Sequence, residues 1–81
     1  MITLLKKYDD KLLVQQAERA LANDPSIDNS RISVSSKNGI ITLEGKSRNQ
    51  SEHRRAVDIV QRSLKSKNLK YDRIADKIIE S

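Results

Sequence analysis

The chain has no cysteine, no phenylalanine and no tryptophan, and its 81 residues include one histidine, one proline and two glycines. Without cysteine there is no disulfide framework, no thiolate metal site and no cysteine nucleophile, and the redox compartment leaves no mark on the sequence. His53 alone cannot make a multi-histidine metal site within one chain. Tyr8 and Tyr71 are the only aromatic residues, so a core must be assembled from Leu, Ile, Val and Ala. Long apolar runs are missing as well. Met1 to Lys7 offers four apolar residues before Lys6 and Lys7 interrupt it, whereas a secretory signal needs about 7 to 15 and a membrane span about 20. No transmembrane segment is predicted. The expected location is cytoplasmic if the chain is native at full length, and periplasmic or envelope-associated if it is trimmed from a precursor.

What is present is charge: 33% of the residues are charged and 36% hydrophobic, with a formal net charge of +5. An excess of this sign favours anionic partners such as lipid headgroups or nucleic acid, and it also serves simple solubility. At this length a chain forms one domain that buries only about 60% of its unfolded surface. Residues 9–81 are expected to form that domain, preceded by an extension over residues 1–8.

Leu13, Ala17, Ala20 and Leu21 recur at helical spacing between Asp9 and Ala22, with Lys11, Gln15 and Glu18 opposite, which predicts an amphipathic helix. Asp9 and Asp10 complement its N-terminus, and Asn23-Asp24-Pro25 ends it, because a proline disfavours helical geometry in the residue before it. Leu5, Tyr8 and Leu12 would form a second apolar stripe on a helix continued upstream. That stripe either folds back onto its own domain or meets a partner.

From Arg31 to Lys46 the period changes to two. Ile32, Val34 and Ser36 alternate with Ser33, Ser35 and Lys37; then come Asn38-Gly39 and a second alternating run. Asn-Gly at this place predicts a two-residue type I′ turn, which requires positive φ at both central residues. The implied register pairs Ser36 with Ile41, Val34 with Leu43 and Ile32 with Gly45, so both apolar sets share one face. Gly45 would then permit close packing opposite Ile32. The spacing of the two glycines is too long and too strand-like for a phosphate loop.

Asn49, with Glu52 three residues on, has the form of a capping box and predicts a second helix. Ala56, Val57, Val60 and Leu64 form its buried face, with His53 on the same side. Arg54, Arg55, Arg62 and Lys65 cluster opposite as a basic stripe that includes Asp58. In the last segment Tyr71, Ile74 and Ile78 fit a helical period while Ile74 and Ile78 also fit a strand face, and periodicity leaves both open.

Taken in order, Ala20-Leu21, Asp24-Pro25 with Ile27, Ile32 and Val34, and then Asn38-Gly39-Ile40-Ile41-Thr42-Leu43-Glu44-Gly45 give a pattern that resembles the BON domain, a small bacterial module of osmotic-stress and envelope proteins. Glu52 and Ala56 continue it, and Tyr71, Ile74, Asp76 and Ile78 are similar to its closing strand. The resemblance spans Asp9 to Glu80. The chain departs from the pattern at Lys70, where a glycine is usual, at Glu80, where an apolar residue is usual, and in the polar connection from Leu64 to Tyr71. The departures bear on the last strand more than on the hairpin.

The resemblance implies an α+β fold in the order α-β-β-α-β, a three-stranded sheet with two helices packed on one face and a strand over residues 71–80. Ile40 and Ile79, with Thr42 and Ala75, would then lie on the sheet face away from the helices. It also implies a binding module that associates weakly with an anionic phospholipid or membrane surface through Arg54, Arg55, Arg62 and Lys65. A protein-interaction or homo-oligomerisation module using Leu5, Tyr8, Leu12, Ile40 and Ile79 is the alternative, and non-specific nucleic-acid binding is a third. Enzymatic readings lack parts. Spacing alone supplies His53 with no carboxylate or nucleophile, and Asp9 and Asp10 project about 100° apart on a helix rather than as an acid–base pair. No cofactor and no metal site are expected.

Overall fold

A computed structural model describes residues 8–80. They form α1 (Asp10–Ala22), a short 3-10 turn (Asn29–Arg31), β1 (Ile32–Lys37), β2 (Ile40–Ser47), α2 (Gln50–Ser66) and β3 (Arg73–Glu80). The fold is α+β, in the order α-β-β-α-β. The three strands lie in the order β1-β2-β3, with β1 antiparallel and β3 parallel to the central β2. Parallel neighbours need a long crossover, and α2 supplies it.

The hairpin has the register its alternation implies: Ile32 opposite Gly45, Val34 opposite Leu43 and Ser36 opposite Ile41. Asn38 and Gly39 have φ of 52° and 83°, both positive as a type I′ turn demands. Gly45, at φ 135°, is fixed by contact as well, since a Cβ there would run into the Arg31 carbonyl oxygen and come within 3.0 Å of Ile32 Cα.

Asp9 caps α1 by accepting from the Leu12 amide at 3.2 Å. Asn49 caps α2 by accepting from the Glu52 amide at 2.8 Å. The Glu52 carboxylate does not complete a capping box on Asn49; it accepts from the Arg48 amide at 2.7 Å, one residue earlier. At its other end α2 stops on Asn68, whose φ is 55°. The Leu69 amide returns to the Leu64 carbonyl and the Asn68 amide to that of Lys65, the two bonds of a Schellman motif. Leu69 packs against the core beside Leu64, so the polar connection is an ordered helix exit.

Both helices cover the sheet face that carries Ile41, Leu43 and Ile78. The core joins Leu13, Ala17 and Leu21 of α1 and Ala56, Val60 and Leu64 of α2 to that face, with Ile27 and Ile32 at its margin. The last segment is a strand from Arg73 to Glu80, two residues shorter at its start than the 71–80 expected, pairing from Ile40–Arg73 to Ser47–Glu80. Ending on Glu80 does not disturb it: the even-numbered residues 74 to 80 turn toward α2, and Glu80 meets a side chain there that can use its charge.

Candidate functional site

The basic stripe on α2 is divided by ion pairs. Arg55 Nε donates to Asp24 Oδ2 at 2.6 Å, and Asp24 is only 4% exposed. The Ser26 hydroxyl and Arg55, with the Ser26 amide, hold the Asp24 carboxyl down from its ordinary 3.8 to about 2. Arg62 Nε lies 3.1 Å from Asp58 Oδ2, one helical turn away. Arg54 and Lys65 are exposed and make no ion pair among the described residues. Arg55 therefore has a fixed structural duty, tying α2 to the turn after α1.

A second buried carboxylate reinforces that corner. Glu52, 4% exposed, accepts from the Arg48 amide and Arg48 Nε, and from the Asp28 amide at 2.9 Å. The Arg48 side chain and then its amide, joined by the Asp28 amide, lower the Glu52 carboxyl from 4.5 to about 2. Arg48 continues to the Ser26 carbonyl at 2.9 Å. Sequence reading placed Glu52 as a cap and missed its burial; the cationic side chain at Arg48, four residues earlier, is the signal that it has a partner.

Of the expected apolar N-terminal stripe, Leu5 lies outside the described residues. Tyr8 is half-buried against the core and covers the hairpin turn, where a Cβ on Gly39 would approach its ring to 2.6 Å. Leu12 is 40% exposed. Beneath Tyr8, Asp10 accepts from Ser36 Oγ at 2.7 Å and from the Asn38 and Gly39 amides at 2.8 and 2.9 Å. Tyr8 and Asp10 thus clasp the turn from the start of α1.

Ile40 and Ile79 do lie on the sheet face away from the helices, with Thr42 and Ala75 between them. They do not form an apolar patch. Alternation along the strands turns residues 33, 35 and 37, 40 to 46 and 73 to 79 by twos to this side. The register sets Lys37, Ile40 and Arg73 in one row, Ser35, Thr42 and Ala75 in the next, then Ser33, Glu44 and Lys77, then Lys46 and Ile79. The two isoleucines stand at opposite ends, six residues apart along the sheet or about 20 Å. The open face is a basic surface, with four cations and one carboxylate. In the sequence the signal is present as Lys37 and Lys46 on the polar phase of the hairpin, and Arg73 and Lys77 flanking Ile74 and Ile78. It becomes readable only once residues 73–80 are known to be a strand.

His53 is not the unpartnered packing residue its helix position suggests. Its Nε2 lies 2.7 Å from Asp76 Oδ2 and its Nδ1 3.3 Å from Glu80 Oε2. The cluster borders an open groove of about 370 Å³ between α2 and the free edge of β3, lined also by Arg54, Val57 and Asp58. The two carboxylates take different ring nitrogens. Among the described residues no group of three or more His, Cys, Asp or Glu side chains is arranged to hold a metal ion, and no helix is long and apolar enough to cross a membrane.

Two helices over one face of a mixed three-stranded sheet, the other face open and basic, define a small α+β module. The family model for the BON domain matches residues 9–74, and the chain belongs to that family. The match ends as β3 begins, so the strand that departs most from the family pattern lies mainly beyond it. No curated protein matches the chain. The BON domain is a family of non-catalytic binding modules.

Proposed function

We propose that this protein is a non-enzymatic module that attaches peripherally and reversibly to anionic phospholipid surfaces, the role associated with its family. The observation that carries this reading is the segregation of its charges. Every described Lys and Arg is exposed. By contrast Asp9, Asp10, Asp24, Asp28, Glu52, Asp58, Asp76 and Glu80 are all engaged within the molecule as caps, turn acceptors or ion-pair partners. Three of these carboxylates are taken up by Arg48, Arg55 and Arg62, and the exposed cations without an ion pair among the described residues, Lys37, Lys46, Arg73 and Lys77 among them, carry the excess of a net charge of +5. Each Lys or Arg near an anionic leaflet contributes on the order of 1 kcal/mol, enough in combination for salt-sensitive attachment. With no tryptophan and two tyrosines, one of them covering the hairpin, deep insertion has little to drive it.

Co-sedimentation with vesicles of phosphatidylcholine, with and without phosphatidylglycerol, tests this. Binding should require the anionic lipid and decline as salt is raised; equal binding to both vesicles at low salt would sink it. A protein contact is the second reading, supported by Leu12 and Ile79, the large apolar side chains left exposed among the described residues. A monomeric mass at high concentration, unchanged by Leu12→Glu with Ile79→Glu, would remove its self-association form.

A further inference from the structure

We propose that the uncovered sheet face is the docking surface, lying flat on an anionic phospholipid bilayer through Lys37, Lys46, Arg73 and Lys77. This rests on the reading above and names the side of the molecule that meets the lipid. Both helices are on the opposite face, so nothing in the described fold covers these side chains. The four cations stand toward the ends and margins of the face, Lys37 and Arg73 in the row at the hairpin turn and Lys46 and Lys77 in the last two rows. The second of the four rows is short: Ser35, Thr42 and Ala75. Long cationic side chains around a low row can all reach one plane, and the hydroxyls of Ser35 and Thr42 can donate to phosphate oxygens between them.

Charge complementarity sets this face apart from the α2 stripe. On α2, Arg55 and Arg62 are each held by a carboxylate, and a cylinder brings only a narrow row of side chains to a flat surface. On the sheet no cation of the face makes an ion pair among the described residues, and Glu44 is its one carboxylate. Ile79, 58% exposed at the far end, is the more open of the two isoleucines on this face and could settle among the headgroups. The absence of any aromatic residue from the face removes the stacking contacts that single-stranded nucleic acid needs, and its breadth suits a plane better than a duplex groove.

The test compares two charge reversals of equal size in the full chain: Lys46→Glu with Lys77→Glu on the sheet, and Arg54→Glu with Lys65→Glu on α2. Partitioning onto phosphatidylcholine vesicles containing phosphatidylglycerol is measured at low salt, with thermal melts to show that each variant is folded. The glutamine versions replace any glutamate variant that is not. At about fivefold per cation the sheet pair should weaken partitioning at least 25-fold, and the α2 pair by much less. An equal or larger loss from the α2 pair would overturn the sheet assignment while leaving lipid attachment standing. A parent protein with no preference for anionic vesicles would remove both. Parent binding to duplex DNA as tight as to vesicles, with the same response to the sheet pair, would make the face a general phosphate surface and overturn the assignment to lipid.

Discussion

His53 Nε2 stands 2.7 Å from Asp76 Oδ2, joining α2 to the middle of the edge strand β3 through a group that titrates near neutrality. Burial is the largest single influence on the ring and disfavours its charge, but the hydrogen bonds and attraction of Asp76 and Glu80 together outweigh it. The pKa is raised above the ordinary 6.5. The folded-state value lies above the unfolded one, so this contact stabilises fully below about pH 6.5 and its contribution is lost as pH rises through the folded value. Melting temperature should therefore decline as pH rises above about 6.5, and His53→Gln should flatten that decline. An NMR titration should show the His53 pKa fall in Asp76→Asn. An unchanged value would mean that Asp76 does not hold the ring.

At acid pH the sign reverses. Asp24 and Glu52, both held at about 2, contribute stability that is complete above their unfolded values near 4 and is lost as pH falls toward 2. Melts between pH 5 and about pH 2 should show a steep acid limb. Asp24→Asn and Glu52→Gln should each lower stability at neutral pH and make that limb shallower. An acid limb of parental steepness in both variants would place the acid sensitivity elsewhere.

Asp10 gathers Ser36 and both central amides of the turn, so Asp10→Ala should cost about 1.5–3 kcal/mol, the range for hydrogen bonds to a charged acceptor. Asp9→Ala removes only an N-cap and should cost about 1 kcal/mol. Urea melts of the two variants give the comparison, and equal losses would show that the clasp on the hairpin contributes nothing beyond helix-end charge.

The two glycines should respond very differently to alanine. At Gly45 the obstacle is backbone, the Arg31 carbonyl, in a conformation that side chains avoid, and the loss should exceed about 4 kcal/mol. At Gly39 the obstacle is the Tyr8 ring, which can move, leaving mainly the left-handed penalty of about 1–2 kcal/mol. Circular dichroism should find Gly45→Ala largely unfolded and Gly39→Ala folded with a lower melting temperature.

The parts of the fold legible in the sequence are those fixed by neighbours along the chain. The turn at Asn38-Gly39 dictates its register, Asp9 and Asn49 cap helices by bonding three residues ahead, and Gly45 follows from the register. Illegible were the contacts between distant segments: Asp10 reaches Gly39 across 29 residues, Arg55 reaches Asp24 across 31 and His53 reaches Asp76 across 23. A charged residue read without its partner looks like a solvated one, which is why Arg55 was grouped with the other cations of the α2 stripe and His53 was given no carboxylate. The basic sheet face was hidden for another reason. Its cations come from three strands, and the third could not be told from a helix by period alone.

The parallel pairing of β2 with β3 also sets an order in time. The hairpin closes over a two-residue turn, an event of microseconds, whereas β3 has to return across the whole α2 crossover and should join later. Long-range pairings of this kind slow folding. In pulse-labelled refolding the amides paired between β1 and β2 should gain protection before the β3 amides that donate to β2; simultaneous protection would show that no such order exists. Until β3 arrives, one edge of the central strand is bare, and the newly made chain passes through a stage in which its hairpin could accept a strand from another molecule.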